Sequence, residues 1–341
     1  MSTLLDRYEA LRAENPHLRA RDAAGRLGGT EAALVASGAT GAAMPLRPDW
    51  PALLNGFRSL GRVMALTRNE HAVHERHGAY EEVSSGPGHI LVLGPDIDLR
   101  LFPGRWAHAY AIGGERPSIQ IFNRDGDAAH KVFATGETDR GAWDALVAAF
   151  AAPGAAAPPE AAATPAAPAA EGTFDAAALR GDWLALRDTH DFFPMLRRHK
   201  ITRRQALSAV GDDLSLRLDD GAPRRLLEAA AADGLPIMVF VGNRDAIQIH
   251  TGPVERLRPS PGGWFNVLDP AFNLHLRETG VASAWRVVKP TEDGVVTSLE
   301  LLDATGGVVA QFFGARKPGK PELPRWREIV ESAAQREPVA A

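Results

Sequence analysis

The chain repeats itself, and this duplication constrains the fold more than any other feature of the sequence. Three pairs of segments match in the same order along the two halves, with an offset that grows slightly along the chain. The matched segments are 63–83 with 237–257, 97–112 with 272–287, and 118–136 with 298–316. Short loop insertions would produce such a drift, so the sequence predicts two copies of one domain.

Each copy contains apolar runs in turn-linked pairs, which are typical of an antiparallel meander. Asn69 and Asn243 stand in one turn of each copy, and Gly126 and Gly306 stand in another. Helical patterns flank these strands at 4–27, 142–150, 174–207 and 326–334. The predicted fold class is therefore α+β, a tandem repeat in which each half is a large antiparallel sheet with flanking helices.

An Ala- and Pro-rich segment separates the copies. Residues 151–172 carry almost no charge and cannot form a core, so they are predicted to be a semi-extended linker. The predicted boundaries are 1–150 for the N-terminal repeat, 151–172 for the linker and 173–341 for the C-terminal repeat.

Composition narrows the class of function. The formal net charge of −4 provides no general basic field for nucleic acid, so no nucleic-acid partner is expected. The absence of cysteine excludes disulfides, thiolate catalysis and cysteine-ligated iron–sulfur clusters. No apolar run reaches roughly 18 residues and the N-terminus has no secretory core, which predicts a cytoplasmic protein without membrane insertion.

Two residues interrupt the repeat. When the Ala-Leu-Arg shared by two helical patterns is aligned, His190 falls opposite Asn15. In the matched strands, Arg100 falls opposite His275. Because duplicated folds need not keep duplicated chemistry, these mismatches mark candidate functional positions.

Local sequence leaves the roles of both residues open. On a helix, His190 would share one face with Trp183, Leu186 and Phe193. It is then either a hydrogen-bonded core histidine or a ligand for a flat apolar molecule. Arg100 lies in an alternating strand, where an arginine on the solvent face is the simpler interpretation.

A group of three histidines raises the possibility of a metal site, but their spacing argues against one. His71, His74 and His77 alternate along a predicted strand, so His74 points away from the other two. The favoured interpretation is strand and turn residues.

Five segments in order resemble one family. They are "LRAENPHLRARDAAGRLGGTEAALVA", "NEHAVHERHGAY", "DIDLRLF", "WLALRDTHDFFPMLRRH" and "VVKPTEDGVVTSLELLD". Together they are similar to the bacterial hemin transport and hemin-degrading factor family, the HemS/ChuS-like heme-utilisation proteins. The resemblance covers nearly the whole chain, duplication included, although the linker is longer here than the family usually shows.

The resemblance implies one heme b, as cargo or substrate, in a cleft between the halves. His190 matches the axial iron ligand and Arg100 matches an arginine on the opposite side of the heme. If His190 lies on a helix, its second ring N–H could donate a hydrogen bond to the carbonyl of Leu186. The implied carboxylate contacts and aromatic walls are Arg203, Lys289, Arg316, Phe102 and Phe240. For each of these five the alternative is an ordinary surface charge or core aromatic.

Two functions fit this resemblance. The protein is either an oxidoreductase that opens heme to release iron, with Arg100 catalytic and an unknown electron donor, or a carrier that delivers heme to a separate heme oxygenase. A heme oxygenase or a reductase is therefore an expected partner. A heme-independent interaction module is a more remote alternative.

Overall fold

The computed structural model describes residues 3–16, 18–161, 172–316 and 319–335. Part of the predicted linker, residues 162–171, lies outside the described residues. The described start of the predicted linker packs against the first half. Thr30 donates its backbone N–H to the carbonyl of Glu160 at 3.1 Å and its hydroxyl to the carbonyl of Pro159 at 2.6 Å.

The first half of the sequence forms helices and strands in a fixed order. The helices are α1 Leu4–Glu14, α2 Ala20–Arg26, α3 Glu31–Ala36, α4 Trp50–Gly56 and α5 Arg140–Phe150. The strands are β1 Ala43–Leu46, β2 Gly61–Arg68, β3 Ala72–Gly78, β4 Glu82–Gly86, β5 His89–Leu93, β6 Asp98–Leu101, β7 Trp106–Ile112, β8 Ser118–Asn123 and β9 Ala128–Thr138.

The second half repeats this order of strands. Its helices are α6 Ala176–Leu184, α7 Phe192–His199, α8 Arg203–Ala209, α9 Ala222–Asp233 and α10 Pro324–Ala334. Its strands are β10 Ser215–Leu218, β11 Ile237–Gly242, β12 Ala246–Gly252, β13 Leu257–Ser260, β14 Trp264–Leu268, β15 Phe272–Arg277, β16 Ser283–Thr291, β17 Gly294–Leu302 and β18 Val308–Gly314.

Within the described residues, the strands assemble into two nine-stranded sheets. Their orders are β1-β7-β8-β9-β2-β3-β15-β14-β13 and β10-β16-β17-β18-β11-β12-β6-β5-β4. The registered pairs are antiparallel. The α+β class predicted from the sequence is confirmed.

Strand registers confirm the duplication at single-residue resolution. Ser118 pairs with Phe133 in the first half, and Ser298 pairs with Phe313 in the second. The β8–β9 register shifts between Ile121 and Phe122, and the β17–β18 register shifts at the matching place, between Leu301 and Leu302. The turns that follow end on matched glycines, each with φ of 83°, a left-handed conformation that favours glycine. The glycines are Gly126 and Gly306.

The chain divides into two compact units. The first unit is Met1–Arg68, Glu75–Ala166 and Gly242–Gln248, and the second unit is Asn69–His74, Ala167–Val241 and Ile249–Ala341. Residues 69–74 and 242–248 thus group with the opposite half of the sequence.

The second unit buries one face of its strands under α9 and α10. Val239 and Trp326 have no exposed surface, and Trp326 donates its indole N–H to the carbonyl of Thr297 at 2.8 Å. The helical patterns did not indicate α9. Its boundary signals are nevertheless present, since Pro223 stands in its first turn and Gly234 follows its end with φ of 63°.

Helices α6, α7 and α8 pack on the other face of these strands. Trp183 and Phe192 are buried there, with ring centroids 4.8 Å apart in an edge-to-face contact. These helices cover that face only in part, and this partial cover positions the site described below.

Among the described residues, no helix is long and apolar enough to span a membrane.

Candidate functional site

His190 lies in a short 3-10 turn, Thr189–Asp191, between α6 and α7. The prediction that His190 lies on a helix within the helical pattern at 174–207 is wrong, because α6 ends at Leu184 and α7 begins at Phe192. Pro194 explains the break. Proline lacks an N–H and clashes with the carbonyl four residues earlier, so it is tolerated only in a first helical turn.

The side chain of His190 is 90% exposed. It therefore does not share an apolar face with the buried Trp183 and Leu186, as a continuous helix would require. Phe193, the fourth residue predicted on that face, is also exposed. His190 is thus not a core histidine in this structure, and its imidazole is accessible to a ligand.

Asp188 orients the imidazole. Its carboxylate accepts the backbone N–H of His190 at 2.8 Å and lies 2.6 Å from ring atom Nδ1. The prediction that the carbonyl of Leu186 holds this nitrogen is corrected, because the carboxylate of Asp188 occupies that role. A proton held on Nδ1 leaves Nε2 with its lone pair free for a metal ion.

The electrostatics agree with an ionised Asp188. The backbone N–H of His190 lowers the pKa of the Asp188 carboxyl, and the His190 ring and the positive charge of Arg316 lower it further. Arg316 lies two residues beyond β18, and its Nη1 is 3.7 Å from Asp293. The imidazole of His190 therefore has a carboxylate beside its Nδ1, and the positive charge of Arg316 lies near that carboxylate.

Further contacts anchor this turn on the β16–β17 hairpin. Trp183 donates its indole N–H to the carbonyl of Val288 at 2.9 Å. Arg187 forms an ion pair with Glu292, whose backbone N–H donates to the carbonyl of Arg187 at 2.9 Å. The turn is exposed, but the chain that leads into it is fixed on this hairpin.

Strands β11 and β18 carry a half-buried face next to the helices. We call the face that bears Met238, Phe240, Gln311 and Phe313 the open face; all four side chains are half-buried. Phe240 pairs across the strands with Gln311, and Gln311 with Glu300, so Glu300 lies on the same face. The rings of Phe240 and Phe313 meet edge to face, with centroids 5.0 Å apart.

A buried charge network lies on the open face. Glu300 has no exposed surface, and it bonds to Lys289 at 2.7 Å and to Arg203. Both cations also lie over the ring of Phe192, at 4.5 Å for Lys289 and 4.9 Å for Arg203. One negative and two positive groups give this network a net positive charge.

Opposing effects act on these ionisable groups. Burial alone would raise the pKa of Glu300, but the charges of Arg203 and Lys289 overcome it and hold the pKa at about 2. Burial lowers the pKa of Lys289, and Glu300 opposes that effect. The ion pairs therefore keep the carboxylate charged in apolar surroundings.

Arg100 and Phe102 lie in the first unit. Arg100 is on β6, where its guanidinium pairs with Asp98 and also donates to the carbonyl of Leu99 at 3.2 Å. Leu99 and Leu101 are fully buried while Arg100 is 32% exposed, which confirms the predicted alternation. Phe102 follows the strand and is 38% exposed.

The structure thus groups five of the seven predicted site residues in the second unit and two in the first. Those in the second unit are His190, Arg203, Phe240, Lys289 and Arg316. Sequence reasoning missed Asp188, Phe192, Glu300 and Phe313. Glu300 was detectable, because it falls opposite Gln120 in the repeat, which is the kind of mismatch that marked His190.

The described residues contain no cluster of side chains that could hold a metal ion directly. Across residues 3–16, 18–161, 172–316 and 319–335, no three His, Asp or Glu side chains are placed to hold a metal ion together.

Comparison with known proteins assigns the family. The model of the haemin-degrading HemS.ChuX domain matches this chain over residues 28–150 and 200–333. The chain belongs to this family. The two matched stretches of the HemS.ChuX domain fall in the two sequence repeats.

Individual members of the HemS.ChuX family resemble the whole chain. The hemin transport protein HmuS of Yersinia pestis is 43% identical over 335 residues, which cover 96% of each chain. The structure of holo-PhuS, a heme-binding protein from Pseudomonas aeruginosa, matches with a TM-score of 0.92 and 52% identity, covering 96% of this chain and 97% of that one. The heme degrading enzyme ChuS of Escherichia coli O157:H7 matches with a TM-score of 0.90 and 40% identity, covering 96% and 98%.

Proposed function

We propose that this protein binds one heme per chain, as cargo or substrate in heme utilisation, with His190 as the iron ligand. The observation that carries the proposal is the Asp188–His190 pair. It presents an exposed imidazole whose Nδ1 is held by a carboxylate at 2.6 Å, so that Nε2 is available. Metal-bound histidines commonly use such a carboxylate partner.

The surroundings of His190 suit a flat apolar molecule with two carboxylates. Phe240 and Phe313 supply an aromatic wall on the open face. Arg316, close to Asp188, supplies one cation for a heme carboxylate. Arg203 and Lys289 supply the net positive charge of their network with Glu300, although both are already bonded to that carboxylate.

The first repeat supports a stoichiometry of one heme per chain. Asn15 stands where a second histidine would stand, and its side-chain amide donates to the carbonyl of Leu11 at 3.2 Å. An amide directed at its own helix end is a poor heme ligand. Arg100 and Phe102 are proposed, from the family resemblance, to contact the heme face opposite His190.

The bound heme is either degraded by this protein or delivered to another one. Oxidative ring opening with release of iron is favoured by the similarity to ChuS, which is described as a heme degrading enzyme. Delivery to a separate heme oxygenase is favoured by the similarity to HmuS, a hemin transport protein. One histidine and one opposing arginine serve either function.

A single experiment separates these fates. The protein is loaded with heme without oxygen, and then oxygen and a reductant are added together with catalase, which removes free peroxide that attacks heme without an enzyme. Loss of the Soret band with release of iron supports degradation. A stable complex that passes heme to an added heme oxygenase supports the carrier. If no saturable binding of heme occurs, the proposal fails.

Replacing Asp188 by asparagine should weaken binding of ferric heme about 10- to 100-fold, the usual effect of losing a partner of a metal-bound histidine. The amide still accepts the backbone N–H of His190, so the turn should persist, but the imidazole loses its anionic partner. Heme titration followed at the Soret band measures the change.

The chain provides a matched control for this variant. Asp182 on α6 also accepts from a histidine, with its Oδ2 at 2.9 Å from Nε2 of His199. Asp182→Asn removes the same kind of contact at a histidine that is not the proposed ligand, so its heme affinity should match that of the wild type. Equal losses in the two variants would contradict a specific role for Asp188.

Replacing Arg100 by alanine should leave heme bound through His190 while changing the opposite heme face. A guanidinium favours hydroxide over water as an iron ligand, so its removal should raise the pKa of a bound water molecule. A pH titration of the visible spectrum of the ferric complex measures this pKa. In the degradation function, turnover should also fall sharply, whereas transfer in the carrier function should survive.

Arg76→Ala is the control for Arg100. Arg76 is also a strand arginine of the first unit, with its Nη2 at 2.5 Å from Asp96. Loss of that ion pair should not alter the titration. If the Arg100 variant and the wild type titrate identically, Arg100 does not face the iron.

A further inference from the structure

The first unit contains a pocket of about 560 Å³ that the proposed heme site does not use. Met64, which is 3% exposed, and Phe133, which is half-buried, form an apolar floor. His77, Arg116 and Arg140 are among the other lining residues. The volume is within the range of small-molecule sites, about 300–1,000 Å³.

The repeat explains where this pocket comes from. Met64 pairs with Phe133 in the first unit, just as Met238 pairs with Phe313 in the second. The floor of the pocket is therefore the counterpart of the open face. Duplication has preserved an apolar surface in a copy that has Asn15 in place of the histidine.

The cations of the second unit are absent from the matching positions of the first. Ile112 pairs with Ser118 in the first unit as Val287 pairs with Ser298 in the second, so Ile112 and Val287 are equivalent positions. Two residues further along the chain in each unit, Gly114 therefore stands where the second unit has Lys289. Gly136 stands where the second unit has Arg316. A Cβ atom at either glycine would meet no atom within 4 Å. The space that the two side chains would fill at these positions is therefore open in the first unit.

Other cations have taken their place. The guanidinium of Arg116 lies over the ring of Phe133, 5.5 Å from its centroid. Arg140 begins α5 at the edge of the same pocket. Within the described residues neither arginine forms an ion pair, so both charges are available to a ligand. Glu115, which also lines the pocket, offsets only one of them.

His77 adds a neutral polar group. Burial lowers its pKa, and the charges of Arg62 and Arg116 lower it further. In the part of the chain that the structure describes, no carboxylate holds its ring as Asp188 holds that of His190. The pocket therefore has the donors for an anion but lacks the oriented imidazole that suits heme iron.

We propose that this pocket binds a small planar organic acid, with the apolar body against Phe133 and Met64 and the carboxylate on Arg116 and Arg140. This site is separate from that of the heme, and occupancy of one does not require the other.

The probe is 2-naphthoate, a fluorescent planar carboxylate, and the neutral control ligand is naphthalene-2-carboxamide. The intact protein, first loaded with one equivalent of heme to occupy the proposed heme site, is titrated with each ligand by calorimetry. The naphthoate should bind in a saturable manner, and the carboxamide about tenfold or more weakly, because it lacks the charge that pairs with guanidinium.

Variants assign the binding to the pocket. Arg116→Gln should weaken naphthoate binding about tenfold or more, the effect expected for loss of a charge-assisted hydrogen bond. Arg47→Gln is the matched control, since Arg47 also lies over a phenylalanine of the first unit, 4.4 Å from the ring centroid of Phe150. Its affinity for naphthoate should stay within about twofold of the wild type.

Four results would overturn the proposal. They are no saturable binding of naphthoate, equal affinity for the carboxamide, an equal effect of the two arginine variants, and a second equivalent of heme whose binding is lost in His77→Ala. The first three results leave the titration of heme through His190 unaffected. The fourth would also contradict the stoichiometry of one heme per chain, but it would not exclude His190 as the ligand of the first heme.

Discussion

Replacing His190 by alanine should weaken ferric heme binding by about 100-fold or more, at or beyond the upper end of the 10- to 100-fold range typical for partners of metal ligands. The imidazole is 90% exposed, so its removal leaves no cavity in the core. Folding should therefore change by no more than about 0.5 kcal/mol, as for ordinary surface substitutions. Heme titration at the Soret band and thermal unfolding measure the two quantities.

His199→Ala is the control for this experiment. His199 is close in sequence, but its side chain is only 15% exposed and its Nε2 is 2.9 Å from Asp182. The single variant should bind heme like the wild type. The double variant, His190→Ala with His199→Ala, also removes His199 as a substitute ligand. Imidazole added to the double variant should restore part of the wild-type spectrum. An unchanged Soret band and affinity in His190→Ala would exclude His190 as the ligand.

The repeat made the fold predictable in outline. Segments that match in sequence also match in register, as the pairs Ser118–Phe133 and Ser298–Phe313 show. Alternating apolar residues identified β2, β3, β6 to β9 and their counterparts, because those strands bury one face or both. The short strands β1, β4, β5, β10, β13 and β14 were missed, since four or five residues on their own carry too little periodicity to separate strand from loop. β6 is as short, but it lies in a segment that the repeat identified.

The course of the chain around His190 was predicted incorrectly for a local reason. Apolar spacing from Trp183 to Phe193 fits one helix, but Pro194 prevents a continuous helix through His190. Asp188 then caps the new turn with its side chain. Giving proline precedence over periodicity would have led to a turn between two helices and to the Asp188 contact.

Partners of the predicted cations could not be derived in the same way. Lys289 and Arg203 were identified through family resemblance, but their bonds to Glu300 depend on residues separated by 11 and 97 positions in the chain. Only the register between β16 and β17 and the placement of α8 bring the three together. Sequence spacing alone contains no information on such long-range contacts.

Replacing Glu300 by glutamine should destabilise the second unit by about 3–5 kcal/mol, the usual effect of removing one partner of a buried ion pair. Glu300 has no exposed surface, so the variant leaves the charges of Lys289 and Arg203 without their counterion in apolar surroundings. Chemical denaturation followed by tryptophan fluorescence measures the loss, since Trp183 and Trp326 are fully buried in this unit.

The pH dependence provides a second signature of Glu300. Its pKa is about 2 in the folded protein against an ordinary value of 4.5, so the folded state binds fewer protons than the unfolded state between these values. The stabilisation is complete above about pH 4.5 and is lost as the pH falls towards about 2. This component should be present in the wild type and absent from Glu300→Gln.

A double variant tests whether unpaired positive charge causes the loss. Lys289→Met added to Glu300→Gln removes one of the two buried cations and should recover part of the stability. The first repeat already shows a compatible arrangement, because Gln120 occupies the position of Glu300, is 7% exposed, and donates to the hydroxyl of Ser118 at 3.1 Å. Gly114 there takes the place of the lysine. If the double variant is no more stable than Glu300→Gln alone, repulsion and desolvation of the cations are not the cause, and the charge network does not stabilise the second unit in this way.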